Sequence, residues 1–220
     1  MRALAWKELR EVVGITAIAL GFYLALAINM MGTRVFDWVP GMPAGTQGVP
    51  FVGGDFTSFF TCISIAFAAA LGFRQTAWES TRGTFLFLLH RPVRRETIFL
   101  VKLAMGAGVL LSCASLPIVA YGLWAAAPGH HASPFEWSMT GPAWRLTFLM
   151  PLLYFGAFLS GLRPARWFGT RLLPLVASLL FLVLLDSGSG WWSVRFPLTL
   201  LLYGFLAANV CFVGQLRDYA

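Results

Sequence analysis

The sequence predicts an all-α integral membrane protein, a bundle of six transmembrane helices preceded by an amphipathic helix on the membrane surface. Three observations lead there. Of the 220 residues, 58% are hydrophobic and only 11% charged, whereas a soluble domain carries about a quarter charged residues. The apolar residues gather in runs close to the ~20 that cross a hydrocarbon core of ~30 Å. The basic residues behind the net charge of +7 lie mainly between those runs, as cytoplasmic loops require. They form no basic face with interleaved aromatics, so nucleic acid is not an expected partner. One bundle accounts for the whole chain as a single domain.

Residues 1–11 come first. On a helical wheel Ala5, Trp6, Leu9, Val12 and Val13 share one face, and Lys7, Glu8, Arg10 and Glu11 share the other. This predicts a short interfacial helix along the inner membrane surface before the chain turns in. Its characteristic residues are Trp6, Lys7, Glu8, Leu9 and Arg10. The spans are then expected at 12–31, 56–73, 97–124, 144–162, 167–186 and 194–213. Ala25-Leu26-Ala27 mimics a signal-peptidase site, but Glu8 and Glu11 do not suit a signal-peptide n-region. The fifth span is the shortest, because its continuous apolar part covers only 172–185.

The breaks are equally readable. Residues 34–54 hold Pro40, Pro43, Pro50 and several glycines and read as a loop, with Asp55 as an N-cap for the second span. Residues 125–141 hold Pro128, Gly129, His130, His131 and Pro134, and Pro142 suits the first turn of the fourth span. With the N-terminus inside, thirteen of the sixteen Lys and Arg face the cytoplasm, leaving Arg34, Arg145 and Arg195 outside. All nine tryptophans fall at or near span ends, where amphipathic indoles settle. Both termini are therefore expected in the cytoplasm, with the chain in the cell membrane, a bacterial inner membrane.

No enzyme signature appears. The chain has no Gly-x-x-x-x-Gly-Lys-Ser/Thr motif and no His-Glu-x-x-His, so neither a phosphate cradle nor that metal site is expected. His130 and His131 are adjacent on an outer loop and suit a joint metal site poorly. Cys62, Cys113 and Cys211 each sit inside an apolar run and read as small buried thiols. Asp55 and Asp186 lie at outer span ends, and Asn29 and Asn209 read as helix–helix hydrogen bonders. The membrane interior is expected to be nearly free of charge, which disfavours an ion-driven carrier. Ala104, Gly108 and Ser112 form a small-residue stripe on the third span, for packing within the subunit or for a dimer seam.

The inner connection from Arg74 to Glu96 reads RQTAWESTRGTFLFLLHRPVRRE. Residues 75–81 extend the second helix beyond the membrane, Arg82-Gly83-Thr84 breaks it, and Phe85–Leu89 form a compact apolar piece stopped at Pro92. An apolar knob with an arginine rim must bury itself in the interface or against a protein partner.

The pattern Glu79, Gly83-Thr84, Leu86–Leu89, Pro92, Arg95 and Lys102 resembles the inner loop of type-two (exporter-type) ABC-transporter permeases. Trp6-Lys7-Glu8-Leu9-Arg10 is similar to that family's N-terminal interfacial helix. The resemblance is specific over about 30 residues and topological elsewhere. Ser187–Ser193 is only a turn where larger members carry a sizeable element. The resemblance implies a coupling helix, with Glu79, Arg82, Gly83, Thr84 and Arg95 positioning it, Phe85–Leu89 (Phe85, Leu86, Leu88 and Leu89 among them) supplying its apolar contact and Pro92 completing the coupling set. It implies separate ABC ATPase subunits that hold the ATP and Mg, and a second permease subunit, identical or related. This chain would then be no enzyme by itself and bind no cofactor or metal. The alternative is a membrane-embedded enzyme or assembly factor without an ATPase partner.

Overall fold

In a computed structural model of the chain, α1 (Arg2–Ile28) is a single uninterrupted helix. The structure describes residues 2–33, 35, 49–52, 54–82, 95–129, 134–163, 170–187 and 191–216. Of residues 2–5, 79–82 and 216 only the backbone is described. The buried stripe of α1 runs Glu8, Val12, Ala19, Tyr23, Leu26 and on to Met30, at the three- and four-residue steps of one helix face. Glu8 occupies the first position of that stripe. The expected surface helix over 1–11 is therefore not a separate element, since the chain does not turn at residue 11 but continues along one axis. At its far end α1 closes in a widened turn, Asn29–Thr33, where Gly32 takes φ 98°.

The other helices are α2 (Asp55–Arg82), α3 (Arg95–Ala126), α4 (Gly141–Leu162), α5 (Leu173–Asp186) and α6 (Phe196–Leu216). No strand occurs among the described residues. The Ser58 amide donates to the Gly54 carbonyl at 2.9 Å. Gly54 thus takes the cap position expected for Asp55, and Asp55 moves into the first turn, where a carboxylate complements the helix dipole. Pro142 stands in the first turn of α4. Helix α2 runs on to Arg82, one residue past the extension over 75–81 expected from sequence.

Among the described residues five segments are long and apolar enough to cross a membrane: Trp6–Thr33, Asp55–Trp78, Arg95–Ala126, Trp137–Leu162 and Trp191–Gln215. Helix α5 has 14 residues, about 21 Å at 1.5 Å per residue, and falls short of that length. It is nevertheless tied near both ends of α4. At one end Arg171 donates to the Ser160 and Gly161 carbonyls, each at 3.2 Å, and the Leu175 amide donates to Ser160 Oγ at 3.1 Å. At the other, Arg145 meets Asp186 at 3.1 Å. Helix α5 thus runs antiparallel to α4 along most of its length.

Helix α4 is the axis of the bundle and packs against α2, α3, α5 and α6. In its span 83% of the apolar window is buried, against 11% in the span containing α6. Helix α4 is thus enclosed by its neighbours, whereas α6 leaves most of its apolar surface uncovered by the described residues. Association between helices in lipid depends on close packing rather than on removing apolar surface from water. At Gly72 of α2, an added Cβ would lie 2.7–2.9 Å from Ala157 Cβ, Phe158 N and Tyr154 O of α4. Only glycine lets those two backbones approach so closely.

The bundle has two distinct ends. At one, Glu8, Lys102 and Tyr154 meet, and Gln215 near the end of α6 donates to Glu96 near the start of α3. The start of α1 and the end of α6 therefore share this end. At the other, Arg145 pairs with Asp186, Arg195 donates to the Leu185 carbonyl, and Phe51 packs on Phe56 and Tyr121 with ring centroids 4.8 Å apart.

Candidate functional site

The connection between α2 and α3 carries most of the residues singled out by sequence. Gly83, Thr84, Phe85, Leu86, Leu88, Leu89 and Pro92 lie outside the described residues, as do the side chains of Glu79 and Arg82 on the last turn of α2. Arg95 opens α3 and is exposed. The described site is the base of this connection, where both of its helices enter the bundle.

There Lys102 Nζ donates to Glu8 Oε2 at 2.9 Å, and both side chains are completely buried. This corrects the expectation of Glu8 on a solvated face. The register accounts for it. Lys102 lies on the buried stripe of α3, with Phe99, Leu103, Gly106 and Leu110, just as Glu8 opens the stripe of α1. Helical wheels confined to 1–11 separate Glu8 from that stripe; a wheel extended to Met30 places it there.

A second bond lies beside the first. The Tyr154 hydroxyl of α4 donates to Gln75 Oε1 of α2 and also approaches the Lys102 carbonyl at 3.2 Å. Tyr154, Gln75 and Thr76 are buried, and Thr76 Oγ1 donates to the Gly72 carbonyl at 2.8 Å. Gly106 of α3 makes the room: a Cβ there would stand 2.1 Å from the Tyr154 hydroxyl oxygen and 2.8 Å from Gln75 Oε1. Four helices, α1 to α4, are thereby pinned at one level.

The cluster is not fully satisfied. Glu8 Oε1 and Gln75 Nε2 are buried and have no hydrogen-bond partner among the described residues. The second cation near Glu8 is Lys7, at 3.8 Å from Oε1. Unmet polar atoms in a buried network are costly.

Of the interfacial residues expected at the N-terminus, Glu8 is inside, Lys7 and Leu9 are half-buried, and Trp6 and Arg10 are exposed. Lys7 also pairs with Glu11 at 3.1 Å. Asn209, expected to bond across helices, donates instead to the Phe205 carbonyl of its own helix at 2.8 Å. Ala104, Gly108 and Ser112 are all exposed, so the small-residue stripe is not packed against the described residues. Cys113 is buried, Cys211 half-buried and Cys62 exposed, the last against expectation. His130 and His131 lie outside the described residues. Among the described residues no group of His, Cys, Asp and Glu is placed to hold a metal ion. Comparison with protein families, curated proteins and solved structures finds no match.

Proposed function

We propose that this chain is the membrane-spanning subunit of an ATP-driven transporter of the exporter type, energised by a separate ATPase docked on the 83–94 connection. The observation that carries the reading is the buried clamp at the base of that connection. The two helices entering and leaving it are bonded to α1 and α4, through Lys102–Glu8 on one side and Gln75–Tyr154 on the other. A partner that displaces the connection therefore moves four helices together. Coupling through a packed and hydrogen-bonded element needs such a continuous link.

In this reading ATP and Mg stay with the ATPase, and Phe85–Leu89 supply the apolar contact. A second permease subunit completes the assembly. Helix α5, tied to both ends of α4, makes the sixth crossing with its flanking turns. The end bearing Lys7, Arg10, Arg74, Arg95, Lys102, Arg163 and Arg171 faces the cytoplasm, because that end holds most of the described cations. The termini and the connection then lie on the side where ATP is available.

One observation favours a second reading. A buried carboxylate beside a tyrosine and a glutamine is the kind of group that ion-coupled carriers use. Transport that persists without ATP and collapses with the proton gradient would select it.

The test is retention of a partner. The full chain is solubilised from its own membranes and purified by a C-terminal tag. A Walker-motif ATPase is expected in stoichiometric amount, and Leu86→Asp with Leu88→Asp is expected to release it. Preparations that never contain an ATPase would refute the transporter reading.

A further inference from the structure

Helices α1 and α2 diverge on the outside of the bundle and leave a groove that no described helix covers. Its wider part encloses about 690 Å³ and has Arg10, Arg74 and Trp78 at its mouth, with Gly14 and Ala70 farther in. It continues into an almost wholly apolar part of about 510 Å³ that reaches Phe22 and Cys62. Ile15, Ile18 and Ala70 line both parts, so the two form one channel along the bundle surface. From Arg10 to Phe22 the channel follows α1 for about 18 Å at 1.5 Å per residue. One leaflet of a ~30 Å hydrocarbon core is ~15 Å deep. The channel thus matches a single leaflet, with its charged mouth at the headgroup level.

The charge at the mouth is cationic. Glu11 lines it too, but its carboxylate is engaged by Lys7 at 3.1 Å. The Arg74 guanidinium carbon lies over the Trp78 ring, 4.7 Å from its centroid, a cation–π contact that holds the charge at the mouth. Neither Arg10 nor Arg74 has a carboxylate partner among the described residues. Two guanidiniums above an apolar slot one leaflet deep complement an anionic phosphate headgroup with its acyl chain below it.

We propose that the α1–α2 groove is a selective site for an anionic phospholipid of the leaflet facing the chain termini, its phosphate held by Arg10 and Arg74 and one acyl chain lying toward Cys62. The site does not depend on the ATPase reading, and the measurement involves no ATPase.

The protein is placed in phosphatidylcholine nanodiscs doped with brominated phosphatidylglycerol or, separately, with brominated phosphatidylcholine of the same chains. Quenching of Trp78 is taken as the difference between wild type and Trp78→Phe. Stronger quenching by phosphatidylglycerol at equal mole fraction is expected, with Arg10→Gln and Arg74→Gln each lowering that preference about five-fold. Gly14→Leu is the second variant. An added Cβ there meets nothing within 4 Å, so the backbone is undisturbed while the leucine narrows the slot and quenching falls. Equal quenching by the two lipids, or a preference unchanged in both arginine variants, would overturn the proposal. So would a high yield of Cys62-linked dimer on mild oxidation, which would assign the groove to a second copy of the chain.

Discussion

Replacing Lys102 by methionine removes one charge of a pair whose members are both fully buried and 2.9 Å apart. At that separation, with an effective dielectric of about 20, the attraction is about 5–6 kcal/mol. Most of it offsets the cost of taking both charges out of water. The single variant loses the attraction and keeps the buried Glu8 carboxylate, so a destabilisation of about 3–5 kcal/mol is expected. Glu8→Leu leaves the Lys102 ammonium instead and should cost a similar amount. The double variant removes both charges and supplies apolar side chains of comparable volume. Its stability should return to within about 1–2 kcal/mol of wild type, or exceed it. The assay is unfolding of the purified protein in mixed micelles, with helix content and tryptophan emission followed together to verify a single transition. The coupling energy of the cycle should be at least about 3 kcal/mol. A double variant that loses the sum of the two single losses would refute the buried pair.

Further expectations concern the same end of the molecule. Tyr154→Phe removes the donor to Gln75 Oε1 and should cost about 1–3 kcal/mol in the same unfolding assay, since that oxygen stays buried. Gly106→Ala forces a Cβ to within 2.1 Å of the Tyr154 hydroxyl oxygen and should cost about 1–3 kcal/mol. Gly108→Ala, two residues on and with nothing within 4 Å, should be neutral or slightly stabilising, as helix propensity favours alanine. Glu79→Ala and Gly83→Leu should leave the chain in the membrane and the complex assembled, yet abolish the dependence of ATP hydrolysis on substrate. Normal substrate-stimulated hydrolysis in either variant would remove that residue from the coupling role.

Much of the architecture was legible because lipid imposes a simple rule on composition. A segment that crosses must be apolar over about 20 residues, and five segments satisfy this at nearly the expected places. Helix α5 was the weakest on sequence grounds and is the short one in the structure, with 14 residues. The start of α1 was misread for an identifiable reason. Lys7, Glu8, Arg10 and Glu11 form a run of charges, and a local wheel sends all of them to water. Only the register with Tyr23 and Leu26, more than a dozen residues away, shows that Glu8 belongs inside. Its partner Lys102 is 94 residues distant, and pairing across that separation has no local signature. The outward position of Ala104, Gly108 and Ser112 was open for a similar cause, since spacing defines a face but not what the face meets. The role of Gly106 is likewise set by Tyr154, on another helix.

In the proposed assembly the 83–94 connection is held against an ATPase. A photoreactive benzoylphenylalanine placed at Phe87 of the full-length chain, and irradiated in intact cells, tests it most directly. The expected product is one covalent adduct with a Walker-motif ATPase, reduced by Leu86→Asp with Leu88→Asp. Adducts with lipid alone, or with proteins that lack nucleotide-binding motifs, would contradict it.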